Sequence, residues 1–147
     1  MTTPLLHLGL LVRDQQRSLG FYGTYFGFDA AGARRYSDGT VIVRNPQGFD
    51  LALYPGQPPE RLPAFVHFGF QPPDAEAVRA LLARLEADGV PIVERWDDPG
   101  YVAFKCLDPD GWRVEPTGSR SASPAAWDEL RAALAVAASF SHRAQGD

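Results

Sequence analysis

Leu5-Leu-His-Leu-Gly-Leu-Leu-Val12 is apolar at almost every position over a short span, which is the pattern of a buried strand. Asp14 follows as a helix cap. Leu19, Tyr22 and Phe26 fall on one face of the helix it opens, and Gly27 stands at the stop. Gly20 and Gly23 weaken that helix, since an interior glycine costs roughly 1 kcal/mol against alanine. Three strands are predicted next, Asp29–Tyr36, Thr40–Arg44 and Phe49–Tyr54, with turn chemistry at Ser37-Asp-Gly39 and Asn45-Pro-Gln-Gly48 between them. Pro55–Pro63 carries four prolines in nine positions and reads as a stiff linker.

The second half opens in the same way. Phe65-Val-His-Phe-Gly-Phe70 repeats the His-x-Gly-x of His7-Leu-Gly-Leu10. Asp74 caps a stronger helix with Val78, Leu81, Leu82 and Leu85 on one face and Gly89 at its end. Strands Val90–Trp96 and Tyr101–Leu107 follow, and then Asp108-Pro-Asp-Gly111, the counterpart of Asn45-Pro-Gln-Gly48. Pro109 fixes φ at the second turn position and Gly111 tolerates positive φ, so a hairpin delivers Trp112-Arg-Val-Glu115. The predicted fold is α+β, with two tandem βαβββ modules forming paired curved mixed sheets around a cavity. Module 1 spans about 5–54, the linker 55–63 and module 2 about 64–118. Ser123-Pro124 opens a predicted C-terminal helix over about 123–141. Its stripe of Trp127, Leu130, Leu134 and Ala138 has to dock on this chain or on a partner.

At 147 residues the chain is sized for one domain, and 45% hydrophobic with 22% charged residues argues against disorder. A net charge of −4 with no basic stripe argues against a nucleic-acid partner. Cys106 is the single cysteine, which removes a disulfide framework and a cysteine-based zinc site and fits a reducing cytoplasm. No stretch has the length and apolarity of a membrane span or the pattern of a signal peptide. The expectation is a soluble cytoplasmic protein with no membrane partner.

Strand side chains alternate between faces, so equal offsets in the two modules point to equivalent places. His7 and His67 are equivalent, and each is followed two residues on by a glycine that clears space on its face. Glu115 stands four residues after Gly111. Four residues after Gly48 stands Ala52. The constellation is His, His, Glu and a blank, a set that with open positions suits Mn(II), Fe(II), Zn(II) or Ni(II). A lone histidine in an apolar strand is ordinarily a core residue with one hydrogen bond. Two at repeat-equivalent positions, with a glutamate at a third, are harder to attribute to packing. Asp50, Lys105 and Arg113 are candidates for the cavity, although strand-edge charge is the default reading of each. Tyr54, Trp96, Tyr101 and Trp112 read as pocket wall or core, and His142 as a solvated tail residue.

The doubled βαβββ, His7-Leu-Gly-Leu-Leu-Val-Arg-Asp14, Phe21-Tyr22 through Phe26-Gly27-Phe28, and Leu107-Asp-Pro-Asp-Gly-Trp-Arg-Val-Glu115 together resemble the vicinal oxygen chelate superfamily over about residues 5–118. That group includes glyoxalase I, extradiol dioxygenases, fosfomycin- and bleomycin-resistance proteins and methylmalonyl-CoA epimerase. The resemblance implies metal ligands at His7, His67 and Glu115, with a fourth position at Ala52, which cannot coordinate. Glyoxalase I and the epimerase normally fill that position, so both are disfavoured. Extradiol enzymes usually carry a tyrosine where this chain has Lys105, and a histidine upstream of the Asp-Pro turn, whereas here no histidine lies between His67 and Asp108. Fosfomycin-type transferases commonly carry a threonine at the place of Gly9. Bleomycin-type binders generally lack the ligands that this chain retains.

The implied function is therefore a metal-dependent protein acting by Lewis-acid chemistry on a small, partly apolar or aromatic substrate that offers two neighbouring oxygens. The general base is open among Asp50, Lys105 and a metal-bound hydroxide. A non-catalytic drug-binding protein is the alternative from a different class. A fosfomycin-type transferase, an extradiol-type dioxygenase and an accessory protein without a ligand are further ones. An extended proline linker would carry module 2 away from module 1, so a homodimer with sites built from both chains is expected, its joint covered in part by the C-terminal stripe.

Overall fold

The computed structural model describes residues 3–119; the predicted C-terminal helix lies outside them. In module 1, β1 (His7–Val12) runs parallel to β4 (Asp50–Pro55). β4 pairs antiparallel with β3 (Val41–Arg44), and β3 with the two-residue β2 (Arg34–Arg35). Helix α1 (Gln15–Phe26) connects β1 to β2. Module 2 repeats the order with β5 (Phe68–Phe70), α2 (Ala75–Ala87), β6 (Ile92–Asp98), β7 (Tyr101–Leu107) and β8 (Arg113–Ser119). Its sheet runs β5-β8-β7-β6, the counterpart of β1-β4-β3-β2. The register repeats as well: Gly9 stands opposite Ala52, and Gly69 opposite Glu115.

Both helices start where the aspartates require. The Asp14 carboxylate accepts from Arg17 N at 3.1 Å and the Asp74 carboxylate from Ala77 N at 2.8 Å, each satisfying one of the first free N–H groups. Gly27 ends α1 with φ 71°, a left-handed conformation in which its N–H reaches Tyr22 O. Other boundaries differ from the expected ones for local reasons. The strand expected over Asp29–Tyr36 is reduced to Arg34–Arg35, because the Asp29 carboxylate accepts from Gly32 N at 3.0 Å and folds the segment into a turn. β5 starts at Phe68 rather than Phe65, since Val66 N is turned back onto Pro63 O at 3.0 Å. β8 continues past Glu115 to Ser119, with Pro116 paired beside Phe70.

Alternation along the strands sorts the side chains into a core face and an open face. Leu10, Val12, Val41, Val43, Leu51 and Leu53 from the first sheet join Val102, Phe104, Cys106 and Val114 from the second in one core, with Leu19 and Tyr22 of α1 and Val78 and Leu85 of α2. Helix α1 belongs to both modules. Its Phe26 ring stacks on Phe70 at 4.6 Å, and its Tyr22 hydroxyl donates to the buried Asp108 carboxylate at 2.7 Å. The other Asp108 oxygen accepts from Asp110 N at 2.9 Å and Trp112 N at 2.8 Å, so one carboxylate closes the hairpin turn and receives the helix. Trp112 Nε1 donates to Leu11 O at 3.0 Å and Arg13 N to Asp110 at 3.0 Å, which extends the joint to β1. No helix among the described residues is long and apolar enough to cross a membrane.

Burial raises the Asp108 carboxyl above its usual range, and the three donors oppose that rise. A carboxyl raised on folding stabilises the fold at low pH and loses that contribution as pH climbs through its folded pKa. Tyr22→Phe removes one opposing donor and leaves a buried oxygen unpaired, so it should cost roughly 1–3 kcal/mol near neutral pH. The sign then follows: the deficit should shrink on acidification as Asp108 takes up a proton. Urea midpoints of the wild type and Tyr22→Phe at neutral and acid pH check this. A deficit that is absent, or that grows in acid, contradicts it.

Candidate functional site

Along β8, Val114 and Pro116 point into the core, and Glu115 between them emerges on the open face of the second sheet. Its carboxylate meets groups from two other places in the module. Tyr101 at the start of β7 donates its hydroxyl to Glu115 Oε1 at 3.1 Å, and His67 Nε2, just before β5, lies 3.0 Å from Oε2. Burial raises the Tyr101 hydroxyl, and so does the adjacent Glu115 charge, so this phenol is a neutral donor. Lys105 Nζ stands 3.8 Å from Glu115 Oε2 and donates to Glu94 at 2.8 Å. The ammonium also lies 5.1 Å from the centre of the Trp96 ring, within cation–π range. Lys105 is only 8% exposed, a burial that its two carboxylates and the ring make tenable.

The tautomer of a neutral His67 ring follows from its other nitrogen. Nδ1 sits 2.7 Å from Phe65 O, and a carbonyl only accepts, so Nδ1 carries the hydrogen. In the neutral ring Nε2 then aims a lone pair at a carboxylate lone pair 3.0 Å away. Two such acceptors face each other stably only with a cation between them, either a proton or a metal ion. Donor atoms bound at about 2.1 Å and at right angles to one another stand about 3.0 Å apart, so the pair has the spacing of two neighbouring ligands. A backbone carbonyl on the second nitrogen is the usual support of a ligating histidine.

His7 is on the other sheet. It is exposed at the start of β1 and shares a concavity of about 330 Å³ with Leu6, Ile42, Arg44, Asp50, Ala52 and Tyr54. Asp50 is bound by Arg44 at 2.7 and 2.8 Å and by Arg34 at 3.2 Å, and hydrogen bonding to Arg44 holds its carboxyl below the usual range. Among the described residues, no three His, Cys, Asp or Glu side chains of one chain come together as a metal site. Of the residues singled out in the sequence, His67, Glu115, Tyr101, Lys105 and Trp96 therefore meet on one sheet, while His7, Asp50, Ala52 and Tyr54 line the other. Trp112 belongs to the joint between modules, and Arg113 reaches Leu62 O of the linker at 3.5 Å.

The glycines after the two histidines serve the strands. A Cβ at Gly9 would fall 2.8 Å from the Tyr54 ring, and one at Gly69 would fall 3.1 Å from Glu115 O. Glu94 is the member that the sequence reading passed over. The alternation that exposes Val93 and Arg95 and half-buries Ile92, Glu94 and Trp96 puts it on the Trp96 face, opposite Lys105. That alternation was the available signal.

Two mixed sheets built from repeated βαβββ modules, with matching open faces, define a glyoxalase-type fold. The model of the Glyoxalase/Bleomycin resistance protein/Dioxygenase superfamily matches residues 5–115, and the chain belongs to that superfamily. A Pseudomonas aeruginosa protein of uncharacterised function is 34% identical over 124 residues, covering 78% of this chain and 88% of that one. A possible glyoxalase from Bacillus cereus superposes with a TM-score of 0.65 at 25% identity, over 78% of this chain and 98% of its own. The fosfomycin resistance protein FosX of Listeria monocytogenes superposes with a TM-score of 0.68 at 19% identity, over 81% and 95%. FosX has also been crystallised with Mn(II).

Cys106 faces the core rather than either open face, and burial pushes its thiol up to about 12. A thiol in that state supplies almost no thiolate near neutral pH. Native protein should therefore resist a thiol-specific disulfide reagent over the time in which urea-unfolded protein reacts fully. Equal rates would place Cys106 at the surface.

Proposed function

We propose that this chain is a divalent-metal enzyme whose active site is completed by a second copy. His67 and Glu115 of one chain and His7 of its partner would be the protein ligands. The observation that carries this reading is the facing pair of His67 Nε2 and Glu115 Oε2, with Nδ1 already committed to Phe65 O. The repeat register supports the third ligand, because Gly9 and Gly69 hold the same place in their sheets and each histidine precedes its glycine by two residues. The surface supports the partner. Leu5 and Leu6, at 80% and 61% exposure, adjoin His7, and Phe65, at 79%, adjoins His67, so both half-sites are edged by apolar side chains left in water. FosX with Mn(II) supports a divalent ion, among Mn(II), Fe(II), Zn(II) and Ni(II).

Once bound, the ion would supply Lewis-acid stabilisation to negative charge developing on a substrate oxygen. The chain's own residues do the rest. Tyr101 holds one Glu115 oxygen so that the other stays aimed at His67. Trp96, with Tyr54 of the partner, would offer apolar walls to a small substrate. Ala52 contributes no donor atom at the place equivalent to Glu115, which leaves coordination positions for two neighbouring substrate oxygens. Asp50, neutralised by two guanidinium groups, is a poor base. Lys105 sits beside the ligand carboxylate.

Chains carrying His7→Ala and chains carrying Glu115→Gln test the shared site when mixed. Each variant alone should bind little Mn(II), because each loses one ligand from every site. A heterodimer should recover one intact site, seen as restored Mn(II) binding after co-refolding. Continued absence of binding in a confirmed heterodimer, with wild type binding normally, would falsify the sharing. Wild type that takes up none of the four ions under anaerobic reconstitution would remove the metal itself.

The Ala52 blank gives a second expectation. Native protein should not turn over the glutathione hemithioacetal of methylglyoxal at a useful rate, and Ala52→Glu should tighten Mn(II) binding by adding a charged oxygen donor. Robust native turnover, or an Ala52→Glu variant with unchanged affinity, would show that position 52 lies away from the ion.

A further inference from the structure

We propose that the apolar groove between the two modules is the docking site of this chain's own C-terminal stripe, Trp127, Leu130, Leu134 and Ala138, which lies outside the described residues. Neither the groove nor the stripe depends on the metal reading above.

The groove runs along β5 between the end of α1 and the first turns of α2, with a volume of about 940 Å³. Phe26, Phe49, Phe68 and Phe70 line it with half-buried rings, and Leu8 and Leu81 add to the apolar wall. Among the described residues that line it there is no Asp, Glu, Lys or Arg, in a chain of which 22% is charged. An ionised partner would find no counter-charge there, so the occupant presents an uncharged, apolar face. The strand on one wall also calls for cover. β5 is three residues long and stands at the edge of its sheet, in the order β5-β8-β7-β6. Folded proteins protect such an edge by laying a helix or loop over it.

The course of the chain brings the stripe to this place. β8 runs parallel to β5 with Pro116 beside Phe70, so the chain leaves the sheet at the end where Gln71, Pro72 and Pro73 line the groove. A Cβ at Gly118 would lie 2.9 Å from Asp74 O, which sets that exit against the cap of α2, within a turn of Ala77 on the groove wall. The stripe begins at Trp127, shortly after the last described residue, Ser119. So short a tether gives it a roughly millimolar effective concentration at the groove, an advantage that a free partner lacks. The side chains are complementary as well. From Ala132 to Phe140 the sequence carries no charge, and five of those nine positions are alanine, small enough for the phenylalanine rings to approach closely.

Thiol cross-linking in the full chain tests this, with Cys106 buried in the core as a silent background. Gln71→Cys, on the exposed rim of the groove, is combined in turn with Leu130→Cys, Ala132→Cys, Leu134→Cys, Val136→Cys and Ala138→Cys. Under mild oxidation a disulfide within one chain should form fastest at a stripe position, about tenfold or more ahead of Ala132→Cys and Val136→Cys, which fall on the opposite face of a helix. Equal rates at all five positions, a maximum at 132 or 136, or no disulfide at any position overturns the proposal. Disulfides found only between chains overturn it too, and assign the groove to a second copy. Heat supplies a readout that uses no thiol. Leu134→Asp should lower Tm by several degrees more than Val136→Asp, because it brings a charge to the docked face. Equal shifts would place the stripe in solvent and overturn the proposal.

Discussion

The hydroxyl of Tyr22 and the carboxylate of Asp108 meet 2.7 Å apart in the interior, and through that bond a helix of module 1 is fastened to the hairpin of module 2. The carboxylate is already occupied by two N–H groups of its own turn, so it cannot shift to follow the helix without opening the hairpin. Burial makes that constraint stiff, because an ionised oxygen that lost its donor would have no water to replace it. Phe26 stacked on Phe70 and Trp112 bonded to Leu11 O act in the same direction. The two modules of one chain are thereby joined through α1 and the core faces of their sheets. Their open faces are left apart, with His7 and Tyr54 in solvent. These joints together keep His7 apart from the cluster around Glu115.

On the second sheet the polar groups are few and mutually dependent. Glu115 is reached by Tyr101, His67 and Lys105, and Lys105 in turn by Glu94 and Trp96. In a partly buried setting such a network is rigid when complete and costly when broken, since each member solvates another. That rigidity is what a coordination site needs, because a carboxylate free to rotate would not keep one oxygen aimed at an imidazole. Among the described residues, the first sheet has no matching network around Ala52. Its charged residues pair at the rim, where Arg44 and Arg34 enclose Asp50.

Much of this was legible in the sequence, and the reason is periodicity. The caps at Asp14 and Asp74, the glycine stops and the doubled His-x-Gly-x all act within a few residues of themselves, so local chemistry decides them. The equivalence of Ala52 and Glu115, read from spacing after Gly48 and Gly111, is the register of the β1/β4 and β5/β8 pairs. What escaped was decided elsewhere. Asp29 turned a predicted strand into a turn by accepting from Gly32 N, a competition that strand propensity does not measure. Glu94 escaped because its importance lies in a partner across the sheet. Trp112, read as pocket wall or core, packs against the core at the module joint, where its indole N–H donates to Leu11 O.

The repeat also explains why the candidate site is lopsided. Two copies of one module would each offer a histidine on the first strand and a donor on the last, giving four equivalent ligand places. Here the last strand of module 1 has alanine where the last strand of module 2 has glutamate. The difference matters differently at the two levels of structure. In the sheet it is neutral, because Ala52 is buried beside Gly9 and needs no partner. On the open face it means one carboxylate fewer, because Glu115 of module 2 has no charged counterpart in module 1. Ile42 on one sheet and Lys105 on the other then carry the same asymmetry one residue pair further from the centre. An apolar side chain occupies the module without the carboxylate, and an ammonium the module with it.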